Sequence, residues 1–522
     1  MTKSGWKLVK SFRVGVSLCF ATLITLLLLD VWHVLPAGLY RYVTSLQLLP
    51  SLLQIILSAS GISVAGLVIV VLMTLLFGRI YCSTICPLGV LQDLLIRLSR
   101  KINKRKRFVY FRPQYWLHYL VLSLFAAMAL VGGAMLIGDL VEPFSNFGRL
   151  VSVFLVPTAL TLNNLTASLL GKFGVYAVSD IPIHAAQQGV IFFSLLFFVA
   201  LGFLSLTEGR MFCNTFCPAG AILSLVSRIS VFKLKIDKDK CNLCGACDKV
   251  CKAECVDSAS GKIDFSACVG CFNCLRSCPK EGGITYELRW SQNEATSSSG
   301  INGGRRRLIQ NLTIPAMAML VAPGVAMSGK NFIKRRNPIT PPGSVGVSHF
   351  TNTCTACQLC VSSCPTSVLQ PSFLDYSISG MFQPTMDYSV NFCNYDCKIC
   401  GDVCPTGAIK RQTVDEKKLV QIGKSKFKKE DCVVVSKKKD CAACSEHCPT
   451  KAVHTVPYES GLLLPEVDES LCIGCGACEY ACPVIPNKAI KVESNPVHQI
   501  AKRPVKKQAP SPVSSPPGDF PF

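Results

Sequence analysis

CTACQLCVSSCP begins at Cys354, and three more cysteine quartets follow it within about 120 residues. The first holds Cys354, Cys357, Cys360 and Cys364; CNYDCKICGDVCP holds Cys393, Cys397, Cys400 and Cys404. Cys432 with CAACSEHCP (Cys441, Cys444, Cys448) makes the third, and CIGCGACEYACP (Cys472, Cys475, Cys478, Cys482) the fourth. A 4Fe-4S cube needs four thiolates around it. A CxxCxxC loop wraps three about one corner, while the cysteine before proline serves the neighbouring cube. Structural zinc spaces two CxxC pairs by a longer gap and has no use for that proline, and a disulfide framework gives no reason for a fourfold repeat. Residues 342–495 are therefore expected to form a four-cluster ferredoxin module that carries electrons.

Upstream, CNLCGACDKVCKAEC (Cys241, Cys244, Cys247, Cys251, Cys255) precedes CVGCFNCLRSCP (Cys268, Cys271, Cys274, Cys278), the twofold pattern of a bacterial ferredoxin. Crossed ligation joins Cys241, Cys244 and Cys247 with Cys278, and Cys268, Cys271 and Cys274 with Cys251. Lys252 stands where proline usually follows Cys251, and Cys255 lies only four residues on, so either cysteine remains open as the fourth ligand. These residues, 233–289, form a second, two-cluster module.

With 50% hydrophobic and 16% charged residues in 522, the rest of the chain is too apolar to be wholly soluble. The formal charge of +22 does not imply a nucleic-acid partner. Six cubes of about −2 each would remove about 12 charges, and much of the remainder flanks apolar segments, where it sets membrane orientation. Residues 1–232 are expected to be an α-helical membrane bundle of four helices, with one connecting helix further on and α+β ferredoxin modules attached. The spans are the run ending at Leu29, then Gly61–Phe77, 115–138 and 189–206. Basic residues 97–112 mark the cytoplasmic side. The outer loop between the last two spans, moderately apolar but broken by Arg149, Asn163, Asn164 and Lys172, reads as an interfacial helix in preference to a fifth span, and Cys19 as a small apolar core residue.

An internal repeat lies within this membrane part. GRIYCSTICPLGVLQDLLIRLS from Gly78 recurs as GRMFCNTFCPAGAILSLVSRIS from Gly209, each copy following a span that returns to the cytoplasm. Cys82, Cys86, Cys213 and Cys217 should thus share one side of the bilayer. Three readings stay open for them: a seventh cube, a redox-cycling dithiol, or simple helix caps.

Residues 290–341 contain a flexible linker, 290–304, and then GRRRLIQNLTIPAMAMLVAPGVAMSG, whose Arg305 and Arg306 before the apolar stretch 308–327 have the form of an internal twin-arginine export signal. An ordinary fifth helix is the alternative. Residues 496–522 are proline-rich and expected to be disordered.

Together these motifs resemble a known arrangement. Residues 1–290, with two CxxxCP motifs, VEPFSNFGRL in the outer loop and a terminal two-cluster ferredoxin, are similar to the NapH type of membrane ferredoxin. The second half resembles NapG, its four-cluster periplasmic partner. The resemblance implies a quinol dehydrogenase that feeds a periplasmic cytochrome or reductase from the quinone pool of the inner membrane. The first module would then be cytoplasmic and the second periplasmic. It also implies a nested ligation, with the first quartet sharing its clusters with the fourth and the middle two pairing. His33, His118 and His184 are the candidate proton acceptors for a quinol. A maturation factor that reduces another enzyme's metal or cofactor is the competing class, and a redox sensor would need fewer centres.

Overall fold

The computed structural model describes residues 3–30, 32, 34–58, 60–102, 115–131, 140–237, 239–288 and 338–503. The 290–304 linker, Arg305, Arg306, the apolar stretch 308–327 and His33 lie outside the described residues.

Among the described residues three helices are long and apolar enough to cross a membrane: Gly5–Leu28, Pro143–Lys172 and Gln188–Thr207. Gly61–Phe77, expected as a span, forms an apolar helix of 17 residues, and 115–138 is helical over Tyr115–Val131. Ile69, Leu72, Val199 and Phe203 are exposed on these helices, a pattern that suits a hydrocarbon solvent better than water. Two expectations change here. The outer segment is helical as expected, but Pro143–Lys172 is long and apolar enough to cross a membrane and not only to lie at its interface, with Glu142 capping its first turn and a π-turn at Val151–Leu155 carrying it on. Its polar residues do not interrupt it: Asn163 and Asn164 turn to the carbonyls of Ser179 and Ile181, and Arg149 to Asn146. Cys19 is exposed and not a core residue, because its face of the apolar helix Lys3–Leu28 is left uncovered by the rest of the described residues.

Both cysteine-rich modules are built from two-stranded antiparallel sheets and short helices. In the first, Phe232–Ile236 pairs with Ile284–Leu288. In the second, the pairs are Leu369–Pro371 with Pro384–Met386, Val453–Pro457 with Leu463–Val467, and Val420–Phe427 with Ile490–Ile500. The last strand runs on to Ile500, so residues expected as disordered tail are held in place, Gln499 and Ile500 pairing with Gln421 and Val420 and Val497 bridging to Gly346.

The two modules sit at opposite ends of the same helices. Near the start of helix Lys3–Leu28, Trp6 lies 5.9 Å from the ring of Phe272 in the first module. At its far end Ile24, Leu27 and Leu28 are buried in one core with Phe350, Cys354 and Cys357 of the second. Helix Gln188–Thr207 repeats the arrangement: Phe193 stacks 5.0 Å from Phe373 of the second module, while beyond its other end the Arg210 amide donates to the Lys252 carbonyl of the first, 2.9 Å away. Twenty helical residues at 1.5 Å each give about 30 Å, the thickness of a bilayer's hydrocarbon core.

Gly148 fixes the seat of the second module. A Cβ there would overlap the Cys357 carbonyl oxygen, so VEPFSNFGRL meets the first quartet backbone to backbone. Replacing Gly148 by valine should weaken this docking by about 1–3 kcal/mol. Hydrogen exchange should then rise across 347–363 and stay unchanged across 246–277.

Candidate functional site

The CxxxCP repeat folds as two interlocked halves. Short helices Tyr81–Thr84 and Met211–Thr215 each carry the first cysteine, and the second cysteine stands immediately before Pro87–Ile102 or Pro218–Ser227. Proline suits that first helical position because no partner exists there for its missing N–H. Cys217 caps its helix by accepting from the Gly220 amide at 3.3 Å, and the Gly89 amide does the same for Cys86. The capping reading is therefore correct for one cysteine of each pair, but it does not account for the rest of the site.

Each half is clasped by an arginine from the other. Arg79 donates to the Cys213 carbonyl at 3.0 Å, and Arg210, one repeat later, to the Cys82 carbonyl at 2.7 Å. Cys82, Cys86, Cys213 and Cys217 are all buried and share one core. Gln92 accepts from the Cys213 thiol at 2.9 Å, and His118 lies 3.0 Å from the Cys217 carbonyl. His118 is thus 1% exposed against the thiol quartet, not at a membrane face.

This interior is positively charged. Arg13, Arg79, Arg210 and Lys252 are all buried, and Asp93 is the buried carboxylate among them. Arg210 reaches Asp93 at 2.7 Å, Lys252 at 3.1 Å and Arg13 at 4.0 Å. Burial pushes the Asp93 carboxyl up, but Arg210 and Lys252 outweigh it and hold it at about 2. Glu254, in the same turn as Lys252, is pushed up to about 8 by burial and then by Glu208 and Cys251, so it adds little negative charge at neutral pH. Arg13 Nε, Arg79 Nε and Gln92 Nε2 are buried without a hydrogen-bond acceptor among the described residues. Excess buried cations and orphaned donors are costly unless an anion sits among them. A cube with four thiolates carries about −2 and bears sulfides that accept hydrogen bonds, so these residues fit one.

Sequence reasoning missed Arg79, Arg210, Gln92 and Asp93. The signal for the arginines was present, since GR precedes the first cysteine in both copies.

The soluble quartets pair by adjacency. Cys251 is within electrostatic reach of Cys271 and Cys274, as crossed ligation requires. Cys255 stands 3.6 Å from Cys251, sulfur to sulfur. Cys255 is buried and bonded to both Cys251 and Cys268, so both cysteines of the turn stand at the edge of the Cys268 set. Cys241 and Cys247 lie together beside exposed Cys244, and the Cys278 helix packs against the Cys247 helix through Asn273, which donates to the Val250 carbonyl at 3.3 Å.

In the second module the nested pairing gives way to a sequential one. Cys364 joins Cys393, Cys397 and Cys400 around a void of about 350 Å³, and Cys404 reaches back to Cys357 and Cys360. Cys482 joins Cys432, Cys441 and Cys444 around a second void of about 320 Å³, while Cys448 faces Cys472, Cys475 and Cys478. The hairpin Leu369–Met386 folds the second quartet onto the first, which leaves the fourth for the third. The Cys393 amide then donates to the Cys475 carbonyl at 2.9 Å and joins the two pairs into one row. Thiols around a void, with burial pushing Cys360 and Cys400 well up, suit thiolates that find their countercharge in iron.

Comparison with known proteins agrees with this chemistry. The family described as "4Fe-4S binding domain" matches residues 60–105 and 190–237, the two CxxxCP copies, and a second family of the same description matches 464–490. The methylamine utilization ferredoxin-type protein MauM of Methylobacillus flagellatus is 30% identical over 189 residues, 32% of this chain and 77% of the relative. The chain belongs to the ferredoxin-type iron-sulfur protein family. NapF, a ferredoxin-type protein of Escherichia coli, is 29% identical over 151 residues, 29% of this chain and 84% of its own length. YccM, a putative electron transport protein of the same species, is 26% identical over 231 residues, 43% of this chain and 55% of its own. No solved structure matches.

The pairing has a direct test by combined substitution. Replacing Cys364 and Cys400 together by serine should cost the same single cube as either change alone, whereas Cys360 with Cys364 should cost two, read as iron and acid-labile sulfide.

Proposed function

We propose that this ferredoxin-type protein is a membrane-bound electron relay of seven 4Fe-4S centres, carrying electrons between the quinone pool or a cytoplasmic donor and a periplasmic cytochrome or reductase. The carrying observation is the placement of the two ferredoxin modules at opposite ends of shared helices with the thiol quartet between them. Tyr81 continues the line: it is buried, donates to Gln47 at 3.2 Å, and lies within electrostatic reach of both Cys86 and Glu142. Glu142 in turn is within reach of Cys357. Iron-sulfur cubes supply one-electron chemistry at such sites. The chain's own work is to hold them in a row, exclude water and set their potentials.

A seventh cube at Cys82, Cys86, Cys213 and Cys217 is supported by the buried cation excess and by the helices that begin after Cys86 and Cys217, whose N-termini favour negative charge. A dithiol, neutral at rest, would leave those cations uncompensated. For a quinol, His184 is the candidate retained. It lines an open pocket between the outer helix and the second module, where Cys364, Val156, Leu160 and Ile181 also lie. An imidazole there could take a proton beside a centre that takes the electron.

Purified anaerobically, the protein should hold iron and sulfide for seven cubes, and joint replacement of Cys82 and Cys213 by serine should remove one. Unchanged iron with lost electron transfer would instead favour the dithiol. The direction across the membrane has its own test. A reporter fused after residue 503, beyond the last strand, should be active in the periplasm, and changing Arg305 and Arg306 to lysine should trap it inside. Activity confined to the cytoplasm in the unsubstituted protein would sink the transmembrane relay.

A further inference from the structure

Lys252 occupies the position where a two-cluster ferredoxin usually has proline, and its side chain leaves the module altogether. It is 4% exposed and meets Asp93, on helix Pro87–Ile102, at 3.1 Å. Asp93 holds Arg210 on its other oxygen at 2.7 Å, and Arg210 clasps the Cys82 carbonyl. We propose that the Lys252–Asp93–Arg210 bridge is a redox-tuning device shared by two centres. Lys252 raises the potential of the centre at Cys251, Cys268, Cys271 and Cys274, Arg210 that of the membrane quartet, and Asp93 fixes both cations between them. The inference rests on the reading that both thiol sets hold cubes.

Several contacts make the bridge a built one. The turn that carries Lys252 is itself the docking surface: its carbonyl accepts from the Arg210 amide at 2.9 Å, and the Ala253 carbonyl accepts from Asn214 at 3.2 Å. Arg79, reaching from the other repeat, donates to the Ser266 carbonyl at 3.0 Å. The two thiol sets are therefore held by the same few side chains and cannot shift independently. Cations also gather on the module's inner centre: Lys10, Arg13, Arg100 and Lys252 all act on Cys271.

An arriving electron adds one negative charge to a cube. In a buried setting of low dielectric, a fixed cation nearby favours that reduced form and a fixed anion opposes it. Proline after Cys251 could carry no charge and could not reach helix Pro87–Ile102. Lysine there does both. Because Asp93 is neutralised from two sides, removing Lys252 also turns more of the carboxylate's charge toward the quartet, so both potentials should fall, the Cys251 centre by more. Lys252, Asp93 and Arg210 are thus positioning residues that set potentials without being ligands.

The test is an EPR-monitored redox titration of the full-length protein, purified anaerobically, with the four centres of the second module as an internal reference. K252M should disfavour reduction of the Cys251 centre by about tenfold or more, about 59 mV lower for a one-electron couple. It should shift the quartet in the same direction by less and leave the reference centres unmoved. K252R should restore the unsubstituted values, and D93N should move both centres the opposite way. Unchanged potentials in fully loaded K252M would overturn the proposal, leaving Lys252 as a packing contact. Should K252M fail to load iron, D93N decides: an upward shift supports the bridge, and unchanged potentials overturn it. Six cubes in the unsubstituted protein would sink the seven-centre reading instead, and K252M would still test the bridge at the Cys251 centre.

Discussion

Positive charge buried in an apolar interior is the constraint on which the rest of this molecule depends. Arg79 and Arg210 lie at 1% and 0% exposure, each braced on a backbone carbonyl of the opposite repeat. Neither CxxxCP hairpin supplies more than two thiols, so a single copy could not surround a cube. Duplication supplies four, and the crossed arginines make each half the scaffold of the other. Asp93 neutralises part of the charge, but the remaining excess of cation over carboxylate calls for an anion between the four sulfurs. The quartet and its arginines are in this sense one structure.

From that centre the other sites follow by contact. Toward one side, Arg210, Asn214 and Arg79 bind backbone carbonyls of the first module at Lys252, Ala253 and Ser266, which brings the Cys251 set against the quartet. Toward the other, Tyr81 and Glu142 stand between Cys86 and Cys357, and Gly148 lets the second module close on the outer helix without a side chain intervening. Beyond Cys357 the sites advance by adjacency, the Cys404 set to the Cys364 set, then across the Cys393–Cys475 contact to the last two. Close approach is what a chain of one-electron centres needs, and here buried side chains bonded to backbone carbonyls, together with the Arg210–Lys252 and Cys393–Cys475 backbone bonds, hold the sites together.

The sequence made some of this legible and hid the rest for physical reasons. Spacing such as CxxCxxC encodes local ligand geometry, so the soluble quartets and the GRxxC repeat could be read directly. Which quartet faces which is decided by tertiary folding: the Leu369–Met386 hairpin pairs first with second, and nothing in the spacing distinguishes that from a nested order. That Pro143–Lys172 is long and apolar enough to cross a membrane was obscured by Arg149, Asn163 and Asn164, whose polar groups are met by Asn146, Ser179 and Ile181 in the fold. Lys252 was visible as a departure from the ferredoxin pattern, but its meaning required Asp93, which is more than 150 residues earlier in the chain.

The distribution of exposure also bears on where electrons enter. Cys244 is exposed at the outer end of the first module and Cys441 is half-buried at the far end of the second, whereas the membrane quartet is buried throughout. A soluble partner can therefore approach the two termini of the row, whereas under the proposed function the buried quartet would exchange electrons only through its neighbours. The His184 pocket is different, because it opens beside Cys364, two sites along the second module from the quartet. A quinol oxidised there would deliver electrons directly to the second module and bypass the quartet and the first module. Under the proposed function the chain then has two inputs that converge in the second module, one lateral from the lipid and one axial through the Lys252–Asp93–Arg210 bridge. The bridge matters only to the axial one, and this explains why the charges that tune it gather around the first module's inner centre and not around Cys364.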